Sequence, residues 1–212
     1  MLSVLYRDAH MVVCVKPAGV LSQEAGESSM PALLRAQLGA EYVAVVHRLD
    51  REVGGVMVYA LSQRGAAALS RAVQERRLEK TYLAVLRGVP EEPSGTLEDL
   101  LFHDKTRNKT YVTDRLRKGV RDASLDYTLL KAGAGHALVR VRLHTGRTHQ
   151  IRVQFASRRL PLVGDGKYGG REPGMPLLLW SWQLTLPHPV TGEQLSFTQE
   201  PQWEELTAQW FS

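Results

Sequence analysis

Two predicted strands flank a polar turn in Val45-Val46-His47-Arg48-Leu49-Asp50-Arg51-Glu52-Val53-Gly54-Gly55-Val56-Met57-Val58-Tyr59. Apolar, β-branched residues at both ends of this segment are typical of buried strands. Asp50 lies in the turn between Arg48 and Arg51, and nearby positive charge favours the ionised form of a carboxylate. The segment alone leaves three interpretations of Asp50 open, namely a nucleophile, a base or a solvated turn acid.

Outside this segment the pattern alternates between short strands and helices. The predicted strands are Leu2–Tyr6, Met11–Lys16, Val43–His47, Val56–Leu61, Leu78–Arg87, Ala123–Lys131, His136–Leu143, Leu177–Leu186 and Leu195–Thr198, and the predicted helices are Met30–Leu38, Arg64–Arg77, Thr148–Arg158 and Gln202–Trp210. This order predicts a mixed α+β fold with a largely antiparallel central sheet and flanking helices and loops. We expect one domain over residues 1–212, with a basic hairpin insertion at about 103–121 and a seam near Glu91–Gly95.

Composition limits the function classes. Of the 212 residues 43% are hydrophobic, enough for a sizeable core, and 27 Lys and Arg against 22 Asp and Glu give a net charge of +5. A basic balance favours an anionic partner such as nucleic acid. The one cysteine, Cys14, excludes an intramolecular disulfide. Because no apolar run approaches a membrane span or a signal peptide, we expect a soluble cytoplasmic protein.

Several catalytic motifs are absent from the sequence. It has no glycine-rich phosphate loop, no dinucleotide fingerprint and no Gly-x-Ser-x-Gly elbow. His144, His149 and Asp165 do not have the spacing of a convergent metal-ligand set, so we predict no metal site. Two candidate sites for chemistry are left after these exclusions. One is Asp50 between its arginines, and the other is the polar cluster His144–Arg152. The arginine side chains of this cluster suit either a phosphate or a carboxylate.

Five segments, taken in order, carry a resemblance to a known family. They are Lys16-Pro17-Ala18-Gly19-Val20-Leu21, His47-Arg48-Leu49-Asp50-Arg51-Glu52-Val53-Gly54-Gly55, Lys80-Thr81-Tyr82-Leu83-Ala84-Val85, Thr145-Gly146-Arg147-Thr148-His149-Gln150-Ile151-Arg152 and Gly164-Asp165-Gly166-Lys167-Tyr168-Gly169. Together they resemble the motifs of the RluA family of pseudouridine synthases. The resemblance implies the pseudouridine synthase catalytic fold and isomerisation of uridine in RNA to pseudouridine, without a metal or other cofactor.

The same resemblance implies roles for particular residues. Asp50 is expected to be the catalytic carboxylate, Tyr82 to stack on the base and take the proton from C5, and Arg147 to pair with Asp50. Arg48 is expected to fill the space left by the flipped-out uridine. Ile151 is expected to pack beneath the pocket.

Contacts with RNA are expected to come from the catalytic domain itself, because the family's optional N-terminal S4-like extension is absent from this chain. The predicted RNA-binding residues are His47, Arg48, Arg152, Lys105, Arg107, Lys109, Arg115, Arg117 and Lys118. Alternatives are a hydrogen-bonding scaffold for His47, a solvated helix surface for Arg147 and Arg152, and a solvated charged face for the run at 103–121. The expected partner is a ribosomal or transfer RNA stem-loop, with no membrane and no obligate protein partner, and we expect a monomer.

One difference from the family pattern lies close to Asp50, where Val53-Gly54 replaces Thr-Ser. The lost hydroxyls would serve local hydrogen bonds in the turn. This difference keeps a second hypothesis open, a non-catalytic RNA-binding or RNA-folding module on the same fold. A hydrolase that uses Asp50 is less favoured, since no second carboxylate is paired with it at a recognisable spacing. The sequence leaves open which RNA and which uridine react, and whether the route is a covalent adduct or a glycal.

Overall fold

The computed structural model describes residues 1–211, and the chain forms two compact units. Unit 1 comprises Met1–Lys80 and Trp180–Pro201, and unit 2 comprises Thr81–Leu179 and the segment from Gln202 onward. The boundaries therefore do not coincide with the seam expected at Glu91–Gly95, where the polar residues only introduce a strand of unit 2. The assignment of residues 1–212 to one catalytic domain stays a prediction.

Strands and helices are interspersed along the chain. The strands are β1 (Val4–Arg7), β2 (Met11–Lys16), β3 (Ala44–Val45), β4 (Gly54–Ala60), β5 (Glu79–Arg87), β6 (Ser94–Asp104), β7 (Lys109–Thr113), β8 (Val120–Gly133), β9 (His136–Leu143), β10 (Leu179–Pro187) and β11 (Gln194–Thr198). The helices are α1 (Met30–Leu38), α2 (Gln63–Gln74), α3 (Gln150–Ser157) and α4 (Glu204–Phe211). The predicted α+β class with mainly antiparallel pairing is confirmed.

Unit 1 is built around β4, which is buried along its whole length. β4 pairs antiparallel with β2 and β3 and parallel with β10, while β1 extends β2 and β11 extends β10. One face of β4 packs into a core of Met11, Val13, Val56, Val58, Ala60, Leu69, Leu78, Leu184 and Leu186. A strand without a polar face is held in place from both sides, so the turn that leads into it has a fixed position.

Unit 2 contains an antiparallel array in the order β5, β9, β8, β6, β7. The basic run predicted near 103–121 forms the β6–β7 hairpin and the loop that leads to β8. Val85, Val163, Leu178 and Trp210 form one of the hydrophobic clusters of this unit, through which α4 is anchored.

Two helix starts show how local chemistry sets the boundaries. Ser62 caps α2, because its hydroxyl accepts a hydrogen bond from Gly65 N at 3.0 Å. The helix predicted to begin at Thr148 instead begins at Gln150, because His149 adopts a left-handed conformation with φ of 55°. Within residues 1–211, no helix combines the length and the apolar character needed to cross a bilayer.

Asp8 ties the two chain segments of unit 1 together. Its Oδ1 accepts hydrogen bonds from His10 N at 2.7 Å and Met11 N at 2.8 Å, and its Oδ2 lies 2.5 Å from His188 Nε2. Partial burial of the carboxyl acts to raise its pKa, but the hydrogen bonds from His188 and the two amides prevail and lower the pKa to about 2.

Asp8→Asn is therefore expected to lower the free energy of unfolding by about 2 kcal/mol at pH 7, since a charged acceptor is lost. The folded-state pKa is lower than the unfolded value, so this contribution is complete above about pH 4 and is lost as pH falls towards 2. Urea unfolding of both proteins between pH 2 and 7 measures it. Asp114→Asn, in an exposed loop, is the matched control and should change stability by less than about 0.5 kcal/mol. A wild-type advantage over Asp8→Asn that is independent of pH would contradict the assignment of this stability to the ionised Asp8 carboxylate.

Candidate active site

Asp50 lies on a tight turn between β3 and β4. Val53 N donates to Asp50 O at 3.1 Å, which closes the turn, and Leu49 and Val53 on either side are buried. The Asp50 side chain is partly exposed between these two anchors. The turn thus presents a carboxylate from a backbone that is fixed at both ends.

A fully buried lysine, Lys16, fixes the position of this turn. Its Nζ donates to three backbone carbonyl oxygens, those of Pro17 at 2.9 Å, Val20 at 2.6 Å and Arg51 at 3.0 Å. Arg51 and Gly19 also exchange hydrogen bonds, Gly19 N to Arg51 O at 2.8 Å and Arg51 Nε to Gly19 O at 2.9 Å. Because an ammonium has three donors, the Lys16 side chain is fully satisfied and fastens the Asp50 turn to the segment 17–20.

The electrostatics of Lys16 involve the candidate catalytic residue directly. Burial lowers the pKa of the Lys16 ammonium to about 8, the negative charge of Asp50 opposes this shift and Arg51 adds to it. The amine is therefore mainly protonated at neutral pH. A buried cation thus accompanies the carboxylate, whereas the sequence indicated only the arginines Arg48, Arg51 and Arg147 as cationic neighbours of Asp50.

A second set of contacts fixes the residue before Asp50. Ser22 Oγ donates to Leu49 O at 2.9 Å, and the buried Tyr59 hydroxyl donates to Ser22 O at 2.9 Å. The loop that follows β2 is thereby joined both to the turn and to β4. The turn depends on hydrogen bonds to the backbone rather than on the two hydroxyls missing at Val53-Gly54.

His47 is buried at the start of the turn, and its Nε2 accepts a hydrogen bond from Val58 N at 3.2 Å. Burial, together with the positive charge of Lys80, lowers its pKa to about 3, so the ring is neutral at physiological pH. This geometry favours the scaffold interpretation of His47. By contrast, the Arg48 side chain is exposed and donates to Gln23 Oε1 at 3.1 Å, so it faces solvent as a residue that contacts RNA must.

The remaining predicted residues lie in unit 2. Tyr82 on β5 is 5% exposed and Ile151 on α3 is 4% exposed, so both are buried side chains. Arg147 is partly exposed, its Nε donates to Asp122 O at 2.8 Å, and its Nη2 lies 3.5 Å from the Asp122 carboxylate. The predicted pairing of Arg147 with Asp50 stays a prediction.

Gln150 organises the Thr-Gly-Arg turn in which Arg147 lies. Its Oε1 accepts hydrogen bonds from Thr145 Oγ1 at 2.7 Å and from Arg147 N at 3.0 Å, while its Nε2 donates to Ser124 O at 3.1 Å. This buried amide therefore connects the turn to β8. The sequence predicts no role for Gln150, since its place in the Thr145–Arg152 motif is the one signal it carries there.

Arg152 requires a correction. It was predicted to contact RNA, but its side chain is 3% exposed and forms two hydrogen bonds with Asp165, Nε to Oδ2 at 2.7 Å and Nη2 to Oδ1 at 2.8 Å. Asp165 also accepts from the amides of Lys167 and Tyr168, both at 3.1 Å. A guanidinium in a buried, bidentate ion pair is not available to the RNA backbone, so neither RNA contact nor a solvated helix surface describes Arg152.

The basic hairpin displays most of its predicted residues to solvent. Exposed side chains are Lys105, Arg107, Arg115, Arg117 and Lys118, and Lys109 is partly exposed. Two are ordered by aromatic rings, with Arg117 Cζ 4.3 Å from the Phe102 ring centroid and Lys109 Nζ 5.4 Å from that of Tyr168. The hairpin is therefore a preformed cationic surface.

The structure explains why Gly54 stands where the family pattern has serine. A Cβ atom on Gly54 would lie 2.4 Å from Cζ3 of Trp180, whose ring is fixed by a hydrogen bond from Nε1 to Gln199 O at 2.7 Å. Gly55 is different, because its φ is +120° and a Cβ would lie 2.2 Å from Ser181 O. Gly54 is thus required for space and Gly55 for backbone conformation as well.

Sequence reasoning missed three residues of unit 1, namely Lys16, Lys80 and Trp180. The first two lie inside quoted motifs, but only the structure shows that Lys16 is fully buried and Lys80 partly buried. Trp180 carries no motif signal. Within residues 1–211, His, Cys, Asp and Glu side chains do not gather in threes in a way that would hold a metal ion.

Comparison with known sequences identifies a family. A family model described as RNA pseudouridylate synthase matches residues 10–157. An uncharacterized RNA pseudouridine synthase of Aquifex aeolicus is 31% identical over 99% of this chain and 72% of that protein. The ribosomal large subunit pseudouridine synthase D of Xanthomonas campestris is 36% identical over 80% of this chain, but only 52% of that protein. The tRNA pseudouridine synthase C of Haemophilus influenzae is 32% identical over 99% of this chain and 98% of its own length.

Solved structures give the same result. Human RNA Pseudouridylate Synthase Domain Containing 1 superposes with a TM-score of 0.85 and 27% identity, covering 100% of this chain and 88% of that one. Human RNA Pseudouridylate Synthase Domain Containing 4 gives a TM-score of 0.79 and 26% identity over 95% of this chain and 89% of the other.

Gly54→Ser is expected to lower the free energy of unfolding by about 1–3 kcal/mol, because the new side chain overlaps the Trp180 ring. In a Trp180→Ala background the same change should cost less than about 0.5 kcal/mol, which gives a coupling energy above about 0.5 kcal/mol in a double-mutant cycle. Urea unfolding of the four proteins measures the cycle.

Gly55→Ala provides the matched control for this cycle. It should be destabilising with or without the Trp180 ring, because its clash is with the Ser181 backbone. Equal costs of Gly54→Ser in the two backgrounds would show that the Trp180 ring is not what selects glycine.

Proposed function

The chain belongs to the RNA pseudouridylate synthase family, and we propose on that premise that it isomerises specific uridines in structured ribosomal or transfer RNA through the carboxylate of Asp50. Enzymes of this family are isomerases that act on RNA. The observation that carries the assignment of Asp50 is its position on a turn that the buried Lys16 fastens to the preceding loop. Such fixation keeps a reacting group in one geometry, which is a large part of catalytic efficiency.

The proposed reaction exchanges one bond of the uridine for another. The glycosidic C–N bond breaks, the uracil turns, and a C–C bond forms between C5 of the base and C1′ of the sugar. Asp50 promotes the first step, either by attack on the sugar or the base or by elimination to a glycal. C5 then loses its proton, for which Tyr82 is the proposed acceptor, and N1, released from C1′, gains one, so the product is an isomer of the substrate and no redox partner is required.

RNA binding is proposed for the exposed cationic residues of both units. In unit 1, Arg48 is the candidate to occupy the space of the extruded uridine, because an enzyme that acts on a base must unstack it. In unit 2, the cationic hairpin surface is suited to phosphates, and the rings of Phe102 and Tyr168 order two of its cationic side chains.

The relatives named above act on ribosomal RNA in one case and on tRNA in the other, and both classes are candidate substrates. We further propose that the protein acts in the cytoplasm as a monomer and without an obligate protein partner.

Asp50→Asn should reduce pseudouridine formation by about 10²–10⁴-fold or more, because the amide is neither a base nor an effective nucleophile. RNA affinity and the urea midpoint should remain close to those of the wild type, since the Lys16 contacts are to backbone carbonyls. The measurement is pseudouridine mapping of RNA from cells that lack the gene, after treatment with each purified protein.

Glu91→Gln, an exposed carboxylate of unit 2, is the matched control and should retain full activity. Substantial product from Asp50→Asn would exclude Asp50 as the catalytic group. A wild-type protein that modifies no cellular RNA, yet binds RNA with a steep salt dependence, would indicate a non-catalytic RNA-binding module instead.

The two arginines of the Thr-Gly-Arg block should respond differently to substitution. Arg147→Ala is expected to lower the single-turnover rate by about 10²-fold or more if it pairs with the catalytic carboxylate, with a loss of less than about 1 kcal/mol in stability because its Asp122 contact is exposed. Arg152→Ala should cost about 3–5 kcal/mol in stability, since it leaves Asp165 buried without its partner.

Single-turnover rates and urea unfolding of both variants separate the two effects. Arg117→Ala, which alters an exposed RNA-binding candidate, should leave both the single-turnover rate at saturating RNA and the stability nearly unchanged. A normal rate for Arg147→Ala would remove Arg147 from the catalytic assignment.

A further inference from the structure

Two aromatic side chains lie next to each other on the β6–β7 hairpin, on the face of the sheet opposite α3. Tyr111 on β7 pairs in register with Phe102 on β6, so both side chains point to the same face. The preceding residue of β6, Leu101, points the other way and packs with Ala123 and with Val153 of α3. Both rings are only partly buried. The hairpin therefore displays aromatic as well as cationic surface.

A cation accompanies each of the two rings. The Arg117 guanidinium lies over Phe102, with Cζ 4.3 Å from the ring centroid, and Lys109 Nζ is 5.8 Å from the centroid of Tyr111. Val120 N donates to Arg117 O at 3.0 Å, which fixes the loop carrying Arg117 to the start of β8. The Arg117 side chain is exposed, so its guanidinium contacts the Phe102 ring and is also accessible from solvent.

The same loop adds an apolar side chain to this surface. Leu116 lies between Arg115 and Arg117 and is 82% exposed, although an apolar side chain gains free energy when a partner covers it. The setting is basic, since residues 104–122 carry seven Lys and Arg side chains against three Asp. Charge complementarity therefore favours an anionic partner that also has planar or apolar groups.

An unpaired RNA nucleotide has both of these properties. Phosphates require only the cations, whereas a tyrosine ring and a guanidinium plane can also stack on the face of a base. In a duplex these faces are covered by the neighbouring base pairs, so an unpaired nucleotide is the form that offers them. An acidic protein segment would match the charge but would bring no base to stack on Tyr111 or Arg117.

We propose that a platform formed by Tyr111, Phe102 and Arg117 binds an unpaired base of the RNA by stacking. The inference rests on the proposed action on RNA and adds that the bound RNA has a single-stranded segment at the hairpin. The surrounding lysines and arginines bind its phosphates. The contribution of Tyr111 differs from theirs, because a stacking contact with an uncharged ring releases no counterions and adds nothing to the salt dependence.

The first test compares two single-stranded probes of about 12 nucleotides by fluorescence anisotropy, an oligouridylate and an abasic ribose-phosphate oligomer. Tyr111→Ala should weaken binding of the oligouridylate by about 5-fold or more, with an unchanged slope of log Kobs against log salt concentration. It should bind the abasic oligomer as the wild type does. Tyr111→Phe should retain the wild-type affinity. Tyr42→Ala, which removes an exposed tyrosine of unit 1, is the matched control and should change neither affinity.

Arg117→Lys tests the guanidinium independently of the tyrosine. It keeps the positive charge but removes the planar group that lies over Phe102. Affinity for the oligouridylate should fall by about 3-fold or more at the same salt slope, while affinity for the abasic oligomer should not change. Full affinity of both Tyr111→Ala and Arg117→Lys for the oligouridylate, or equal losses on the two probes, would overturn the proposal.

Tyr111→Thr separates binding from folding, because threonine favours a β-strand but has no ring. It should lose affinity as Tyr111→Ala does, with a urea midpoint close to that of the wild type. Loss of affinity only in variants whose midpoint falls would make Tyr111 a structural residue and overturn the proposal. So would an oligoglutamate peptide that binds as tightly as the oligouridylate and depends equally on Tyr111. These readouts need no catalytic activity, so a failure of the proposed reaction is recognised separately by pseudouridine mapping.

Discussion

The hydrogen bonds from the buried Lys16 ammonium to three backbone carbonyls are the constraint on which the candidate site depends. Burial of a cation is unfavourable unless its donors are satisfied, so the segment 17–20 and Arg51 must adopt the conformation that supplies the acceptors. β2 and β4 make this geometry possible, since their register places Lys16 opposite Gly55. Asp50 keeps its position on the surface of unit 1 because the residues on either side of it are fixed by these hydrogen bonds.

The close approach of β10 to β4 imposes a second constraint on the same turn. Their parallel pairing is limited to two positions, Trp180 with Gly54 and Ser181 with Gly55. Space for the indole ring and for the Ser181 carbonyl is available only because both partners lack a Cβ atom. At Gly54, where the family pattern has serine, the Trp180 ring therefore occupies the space that a side chain would fill, next to the strand that follows the Asp50 turn.

Much of the fold could be predicted from the sequence because it follows from local pattern. Buried strands such as β4 and the Ser62 cap are local features, and motif order indicated the family. The side-chain partners could not be predicted, because they come from distant positions. Arg152 and Arg147 have the same residue type five positions apart, and only tertiary structure shows that one is buried against Asp165 while the other is partly exposed. Likewise, nothing in the local sequence indicates that burial lowers the pKa of Lys80.

In unit 2, the polar groups behind the basic hairpin give it a fixed orientation. The Tyr168 hydroxyl accepts from Thr110 N at 2.8 Å and bonds His149 Nδ1 at 2.9 Å, and Thr110 Oγ1 donates to Thr148 O at 2.8 Å. Burial raises the pKa of Tyr168, and the hydrogen bonds from Thr110 only partly oppose it, so its hydroxyl stays protonated. Because β7 and the start of α3 share these bonds, the hairpin has a rigid base, and this rigidity would limit the conformational entropy lost in the proposed phosphate contacts.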